Sequence, residues 1–244
     1  MTQSLDAAAT GLAASQSRMD ALADDLANVN TVGYKPQRVS FHDLLYQKPV
    51  DGQGDGVTVG AGVRAVDMGE VPGQAPWQTT GRPLDVAIEG DGYIQVRRAD
   101  GLTALTRAGS LDVDSAGHLV TSNGDVVSPP VTLPRGATSD QVTIGADGSV
   151  SVDKRVVGRI SLFTVQSPDH LSPVGDDDYV VTAASGPARR VADPRLQAGV
   201  LEGSGVDLAE TMSEMTTTQR AYELASRAVQ TADQMMQIAN EVKR

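Results

Sequence analysis

Apolar side chains recur every seven residues at both ends of this 244-residue chain, and that repeat limits the folds available to it. A heptad repeat places its members along one face of an α-helix, where they pack against a second helix. The residues predicted to form these two seams are Leu5, Leu12, Met19, Leu22, Leu26 and Val29 at the N-terminal end, and Leu208, Met212, Met215, Tyr222, Val229 and Met236 at the C-terminal end. We therefore expect two terminal amphipathic helices that pair with each other in a coiled-coil-like manner.

Small residues alternate with the large ones on the C-terminal seam. Three residues after each large residue of the seven-residue repeat comes a small one, which lets a partner helix approach closely. These small residues are Thr211, Thr218, Ala225, Ala232 and Ala239. Such side chains bury little apolar area, and burial stabilises a contact by only about 25 cal/mol per Å². An isolated pair of these helices should be marginally stable and should need neighbours from other copies of the chain.

The pattern changes between the two ends, where short β-rich stretches are separated by turn dipeptides. The dipeptides are Asp91-Gly92, Asp100-Gly101, Asn123-Gly124 and Asp147-Gly148, which are typical of tight hairpins. An all-β central domain is predicted, and the fold class is α+β multidomain. The predicted segments are an N-terminal helix over 1–33, an extended connector or hairpin over 34–83, the β domain over 84–185, a return connector over 186–206, and a C-terminal helix over 207–244.

The charge and the side-chain inventory exclude several functional classes. Acidic residues outnumber basic ones by 31 to 20, so nucleic acid is not an expected partner. The absence of cysteine excludes disulfides and thiolate metal sites. Neither a cleavable signal peptide nor a run of about 18 apolar residues is visible, so membrane insertion is not expected and any export needs a dedicated route.

Catalytic and metal-binding constellations are not evident. His42, His118 and His170 lie far apart in sequence and are interpreted as surface or turn residues without a titratable partner. A hydrolase using an Asp pair in the β domain is an alternative, but no feature selects such a pair. We expect no enzyme activity, no metal and no cofactor.

Three further features have competing interpretations. The run 176–178 is Asp-Asp-Asp, which is interpreted as a solvated turn because it lacks the spacing of a calcium loop. The Gly90-Asp91-Gly92 tripeptide is interpreted as a hairpin turn between two strands, since no helix or lysine follows to hold a phosphate. Trp77 is either an interface anchor or a cover for the β domain.

Blocks along nearly the whole chain resemble the flagellar axial protein family, which includes rod and hook proteins. The N-terminal block is LANVNTVGYK at 26–35, whose motif residues are Asn28, Asn30, Thr31, Gly33, Tyr34 and Lys35, followed by FHDLLYQ at 41–47. The central blocks are LDVAIEGDGYIQV at 84–96 and LTRAGSLDVD at 105–114. The C-terminal blocks are GSGVDLAETM at 203–212, QRAYE at 219–223 with Gln219, Arg220 and Tyr222, and QTAD at 230–233.

The resemblance, which is strongest to the distal rod subgroup, implies a structural subunit of the flagellar basal body. It implies a helical homopolymer that transmits torque and carries the export channel, with the terminal helices lining the inner tube. Implied partners are other rod and hook proteins, rod-surrounding ring proteins and the flagellar type III export apparatus. The implied location is the basal body in the cell envelope or periplasm.

Two alternatives remain open from the sequence. A proximal rod or hook-type axial subunit is compatible with the same blocks, because the connector after Tyr46 is short. A secreted adhesin or ligand-binding β domain on a coiled-coil stalk would also combine terminal helices with hairpins.

Overall fold

The computed structural model describes residues 2–44, 60, 62–71, 73–134, 136 and 139–242. The chain divides into two compact units that are described separately. Unit 1 comprises Met1–Ala27, Gln37–Glu70 and Asp207–Arg244, and unit 2 comprises Asn28–Pro36 and Val71–Val206.

The described part of unit 1 contains two long helices and one strand pair. Its elements are α1 (Thr2–Ala27), β1 (Gln37–Asp43), β2 (Val63–Glu70) and α2 (Leu208–Val242). The two strands pair antiparallel, with Phe41 opposite Ala65. The side chain of Asp207 caps α2 by accepting hydrogen bonds from the backbone N–H groups of Ala209 at 2.9 Å and Glu210 at 3.1 Å.

The described part of unit 2 is built from short strands. They are β3 (Trp77–Thr79), β4 (Val86–Ile88), β5 (Tyr93–Arg97), β6 (Thr103–Thr106), β7 (Leu111–Val113), β8 (Leu119–Thr121), β9 (Val126–Val127), β10 (Val142–Ile144), β11 (Ser149–Val152), β12 (Arg155–Arg159), β13 (Leu162–Thr164), β14 (Ser172–Pro173), β15 (Asp178–Val180), β16 (Arg189–Arg190), β17 (Leu196–Ala198) and β18 (Val200–Glu202). Two short 3-10 helices lie at Ser139–Gln141 and Pro168–His170.

These strands form one large antiparallel sheet and three small ones. The nine-stranded sheet follows the order β14-β15-β6-β5-β9-β8-β7, and β13 pairs with both β5 and β16. The three-stranded sheet has the order β10-β11-β12, while β17 pairs with β4 and β18 with β3. The last two pairings join the beginning of unit 2 to its end, so the β region closes only when both chain segments are present.

One aliphatic core holds unit 2 together. Its fully buried members include Leu84, Ile88, Ile94, Leu111, Leu119, Ile160 and Leu162. Burying each such side chain contributes about 1.5 to 3 kcal/mol. A second, smaller cluster contains Leu105, Val165 and Tyr179, with the ring of Tyr179 edge-on to that of Tyr93 at 6.1 Å between centroids.

The turn dipeptides are confirmed as hairpin turns in three of four cases. Asp100-Gly101 joins the paired strands β5 and β6, Asn123-Gly124 joins β8 and β9, and Asp147-Gly148 joins β10 and β11. Asp91-Gly92 lies between β4 and β5, which do not pair; β4 instead pairs with β17. The hairpin prediction for Gly90-Asp91-Gly92 is therefore wrong, because a local turn signal does not specify which strands become neighbours.

The structure has an N-terminal helix, a multi-strand β region and a C-terminal helix, which confirms the α+β class. Helix α1 ends at Ala27, so the prediction of helical structure to residue 33 is wrong. The backbone turns at 28–33, where the N–H of Thr31 donates to the carbonyl of Asn28 at 3.0 Å. The antiparallel pair β1–β2 and strand β3 lie within the predicted connector or hairpin at 34–83, and β16 to β18 lie within the predicted return connector at 186–206.

Candidate functional site

The two terminal helices lie side by side in unit 1. The guanidinium of Arg18 on α1 donates to the carboxylate of Glu214 on α2 at 3.0 Å, and both side chains are partly exposed. An ion pair of this exposure contributes little stability, about 0 to 1 kcal/mol. It does fix which part of α2 lies next to the middle of α1.

Few described side chains of the two helices are buried, and apart from Leu22 the uncharged ones among them are small. Ala14 and Leu22 are buried on α1, and Thr211 and Thr218 are buried on α2. Leu12, Met19, Leu26, Met215, Val229 and Met236 are half-buried. The described contact between the helices thus contains few large, fully buried side chains.

Several predicted seam residues are not buried. Leu208 is 48% exposed, Met212 is 55% exposed and Tyr222 is 36% exposed. Val29 lies two residues past the end of α1, so its predicted position on the helical seam is wrong. The side chain of Leu5 lies outside the part of the chain that the structure describes.

A hollow of about 360 Å³ lies among α1, β1 and α2. We name it the α1–α2 hollow, and its lining includes Ser15, Arg18, Phe41, Ser213, Thr217 and Ala221. The Arg18 guanidinium lies 5.5 Å from the centroid of the Phe41 ring, a cation–π distance. Phe41 remains 41% exposed, so the hollow presents an aromatic face beside small side chains of α2.

The N-terminal motif residues form a turn that leads into a buried position. The hydroxyl of Thr31 donates to the side-chain oxygen of Asn28 at 3.1 Å. Gly33 has φ +80°, and a Cβ there would lie 3.1 Å from the backbone carbon of Arg107. A side chain is excluded at Gly33 by both the backbone conformation and the close approach.

Tyr34 and Lys35 are buried, and Lys35 belongs to a cluster of charges. Its ammonium donates to Oε1 of Glu202 at 2.5 Å and to the carbonyl of Gly73 at 2.5 Å. The Arg107 guanidinium donates to the same Glu202 oxygen at 3.4 Å. Glu202 is 1% exposed, so its negative charge is compensated almost entirely by these two cations.

The Lys35–Arg107–Glu202 cluster joins four segments of unit 2. The backbone N–H of Ala75 also donates to Glu202 Oε1, at 2.9 Å, and the N–H of Gly33 donates to the Glu202 carbonyl at 3.0 Å. Among the described atoms, Glu202 Oε2 has no hydrogen-bond partner. The motif residues at 33–35 therefore act structurally, by fixing the start of unit 2 to its end.

Sequence reasoning identified Lys35 but missed its partner Glu202. The three charged residues are separated by 72 and 95 positions, and no local pattern relates them. Arg107 did lie within a block that resembles the family. Gln219 and Arg220 from the C-terminal motif are exposed on α2.

The acidic run at 176–178 is only partly solvated, which corrects the prediction of a solvated turn. Asp178 is 2% exposed and accepts a hydrogen bond from Arg98 at 2.9 Å. Burial, with the nearby charge of Asp125, raises the pKa of Asp178 to about 6. Burial, with the charge of Asp176, raises the pKa of Asp177 to about 6.

A polar cleft of about 460 Å³ lies beside this run and is lined by Asn28, Thr31, Ser110, Asn123, Asp176 and Asp177. Asp176 and Asp177 have φ values of +62° and +57°. Left-handed backbone is tolerated by Asp because its side chain is short and polar. Within the described residues, no three His, Asp or Glu side chains cluster as metal ligands.

The histidines differ from one another. His42 on β1 and His170 are exposed, as predicted for surface residues. His118 has a partner, because its Nδ1 lies 3.2 Å from Oδ2 of Asp114, and the expectation that it has none is wrong. The pKa of Asp114 is lowered, mainly by the hydrogen bond from the His118 backbone N–H.

Two observations concern the remaining candidate features. Trp77 on β3 is 42% exposed. In the part of the chain that the structure describes, neither helix is both long and apolar enough to cross a bilayer.

Comparison with known proteins identifies the class to which the chain belongs, that of structural flagellar proteins. Three family models match the chain in order: "Flagella basal body rod protein" over 5–35, "Flagellar hook protein FlgE/F/G D1 domain" over 87–152, and "Flagellar basal body rod FlgEFG protein C-terminal" over 197–242.

Curated relatives match over almost the entire length. The flagellar basal-body rod protein FlgG of Caulobacter vibrioides is 37% identical over 262 residues, covering 99% of both chains. The FlgG protein of Borreliella burgdorferi is 37% identical over 272 residues, covering 100% of both. The FlgF protein of Escherichia coli is 33% identical, covering 90% of both. The chain belongs to the flagellar basal-body rod protein family.

Proposed function

We propose that this chain is a structural subunit of the distal rod in the flagellar basal body, where copies polymerise into a tube. The observation that carries the proposal is the full-length match to FlgG proteins, at 37% identity over 99% or more of the chain. The rod would transmit torque and enclose the export channel. A subunit with this role needs no catalytic group.

The family match favours a rod subunit over a secreted adhesin on a stalk. A proximal rod or hook-type subunit is the second candidate, since the FlgF protein of Escherichia coli is 33% identical over 90% of the chain. The greater identity and coverage of the FlgG proteins favour the distal position.

The assembly mechanism that we propose uses the predicted seams on α1 and α2. Half-burial of Met19, Leu26 and Met215 supports a coiled-coil-like pairing that a lone chain leaves incomplete. The remaining exposed area would be buried between neighbouring copies. Such an interface joins two different surfaces, and repeating it produces an open helical array rather than a closed dimer.

The proposed partners follow from the same role. They are further copies of this chain, other rod and hook proteins, rod-surrounding ring proteins and the flagellar type III export apparatus. The proposed location is the basal body within the cell envelope or periplasm. Neither nucleic-acid binding nor membrane insertion is part of the proposal.

A substitution on the seam tests the function. Met215→Asp places a carboxylate on the half-buried face of α2, and an unpaired charge there is costly when the face is covered. We expect the variant to be absent from rods isolated from cells, while Trp77 fluorescence shows that unit 2 remains folded.

Thr216→Asp is the matched control, because Thr216 is the next residue on α2 and is exposed. It should still enter rods. Incorporation of Met215→Asp at the level of the control would contradict the seam, and absence of the wild-type chain from rods would contradict the proposed function.

A further inference from the structure

Helix α2 carries a second stripe, apolar except for Thr231, on a different face from the predicted seam. Its members are Leu224, Ala228, Thr231, Met235 and Ile238, which are separated alternately by four and three residues. This spacing repeats every seven residues and places the side chains on one face of the helix. We name this face the outer stripe.

The large members of the outer stripe are strongly exposed. Leu224 is 66% exposed, Met235 is 57% exposed and Ile238 is 60% exposed. Single exposed apolar residues are ordinary on a protein surface, but a heptad row of them is a helix-packing surface without its partner.

The C-terminal part of this stripe lies beyond the reach of α1. The ion pair places Arg18 beside Glu214, and only sixteen residues of α1 precede Arg18, whereas twenty-eight residues of α2 follow Glu214. Whichever direction α1 runs along α2, it therefore extends no farther than about residue 230. Met235 and Ile238 lie in the overhang that follows.

A surface complementary to these large side chains exists on the same chain. The α1–α2 hollow presents the small residues Ser213, Thr217 and Ala221 at intervals of four, next to the ring of Phe41. Large side chains on one helix fit the depressions that small residues leave on another.

The contact cannot form within one chain. Ala221 and Met235 belong to the same helix, fourteen residues apart, which separates them by about 21 Å along the axis. The overhang could meet its own hollow only if α2 were broken. A second copy can fill the hollow of one chain with its own outer stripe, and neither helix has to change.

We propose that the outer stripe of α2, through Met235 and Ile238, docks into the α1–α2 hollow of a second copy of this chain. The inference rests on the proposed function and names the partner surface for the polymer. The stripe and the hollow are different surfaces. Each copy therefore inserts its stripe into one neighbour and receives the stripe of another in its hollow, so the contact repeats along the polymer.

Cysteine cross-linking tests the contact directly, because the wild-type chain has no cysteine. Cells would make two single-cysteine variants together, Met235→Cys and Ala221→Cys, and isolated rods would be oxidised. We expect a covalent dimer of this chain, since a disulfide forms only when the two Cα atoms lie within about 7 Å. Gln234→Cys with Ala221→Cys is the matched control, and its dimer yield should be lower, because residue 234 lies about 100° around the helix from residue 235.

The outcomes separate this inference from the proposed function. Rods that contain the chain but give no more dimer than the Gln234→Cys control overturn the docking and leave the rod function intact. Cross-linking of Met235→Cys to a different protein, identified by its mass, also overturns it. Absence of the wild-type chain from rods overturns both.

A second cysteine pair covers the case in which a cysteine at position 221 or 235 disturbs assembly. Ile238→Cys with Thr217→Cys joins the same two surfaces at different residues. If the first pair fails to enter rods, a dimer from this second pair supports the docking, and its absence from assembled rods overturns it.

Discussion

Several charged and backbone groups of unit 2 converge on Glu202. Its buried carboxylate receives Lys35, Arg107 and the Ala75 N–H, so the cluster has two cations for one anion. Removing the anion leaves two positive charges with little access to solvent. A buried charge left without its partner costs more than the intact pair contributes.

Glu202→Gln is therefore expected to destabilise unit 2 by about 3 to 5 kcal/mol. Lys35→Met should cost less, because Arg107 still compensates Glu202. The measurement is urea unfolding followed by Trp77 fluorescence, since Trp77 is the only tryptophan and lies opposite Glu202 in the β3–β18 pair. Equal unfolding midpoints for Glu202→Gln and the wild type would contradict the assignment.

The carboxyl groups of Asp177 and Asp178 should make the stability of the folded chain depend on pH. Their pKa values are raised to about 6 in the folded chain, above the ordinary value of 3.8. The folded state therefore binds more protons than the unfolded state between about pH 4 and pH 6. Through these groups, the free energy of unfolding decreases as pH rises across that window and is level above it.

Asp177→Asn should remove the Asp177 part of this dependence and raise stability at pH 7. The gain is about 1 kcal/mol or less, because Asp177 is partly exposed and solvent screens its charge. Asn also tolerates the φ of +57° at this position. The test is thermal unfolding at pH 4.5 and pH 7, with the exposed Asp91→Asn as control; equal shifts for both variants would refute the burial effect.

At the scale of the elements, the helices of unit 1 depend on contacts at their ends. Asp25 near the end of α1 is buried, and its carboxylate accepts a hydrogen bond from the N–H of Gln37 at 3.1 Å. Asp207 caps the start of α2 directly, because its carboxylate accepts hydrogen bonds from N–H groups of that helix. These bonds define helix boundaries that the heptad pattern alone does not mark.

Asp207→Ala is predicted to destabilise the first turn of α2 by about 1 kcal/mol, because two backbone N–H groups lose their acceptor. Amide exchange at residues 209–211 measures the effect. Asp207→Ser retains a capping oxygen and should exchange like the wild type. Unchanged exchange in the alanine variant would show that the cap does not stabilise the helix.

For the whole molecule, the two units differ in how much apolar surface they bury. Unit 2 has a continuous aliphatic core, whereas the buried uncharged side chains described on α1 and α2 are Ala14, Leu22, Thr211 and Thr218, of which only Leu22 is large. Small side chains stabilise a contact weakly. The isolated chain should therefore open far more readily in the helices than in the β region.

Hydrogen exchange on a dilute sample of the isolated chain tests this difference. We expect strong protection of β5, β6 and β8 and weak protection of α1 and α2, because local opening follows buried contact density. Protection of the helices should increase when the chain is incorporated into rods. Equal protection of helices and strands in the dilute sample would contradict the dependence on assembly.

Local patterns were sufficient to predict much of the fold. The heptad spacing predicted two terminal helices, and Asp100-Gly101, Asn123-Gly124 and Asp147-Gly148 predicted hairpin turns that pair adjacent strands. Each of these features depends on residues within about ten positions of one another. Helix periodicity and turn chemistry act over that range, so they can be identified without coordinates.

The tertiary structure alone decided the contacts that join distant segments. Lys35, Arg107 and Glu202 meet because β18 pairs with β3, which no local pattern specifies. The seam and the outer stripe of α2 became distinct only in the structure, where Thr218 is buried and Leu224 is 66% exposed. An apolar face on a helix predicts that another surface packs against it. Only the tertiary structure shows which apolar residues are already buried by such a contact.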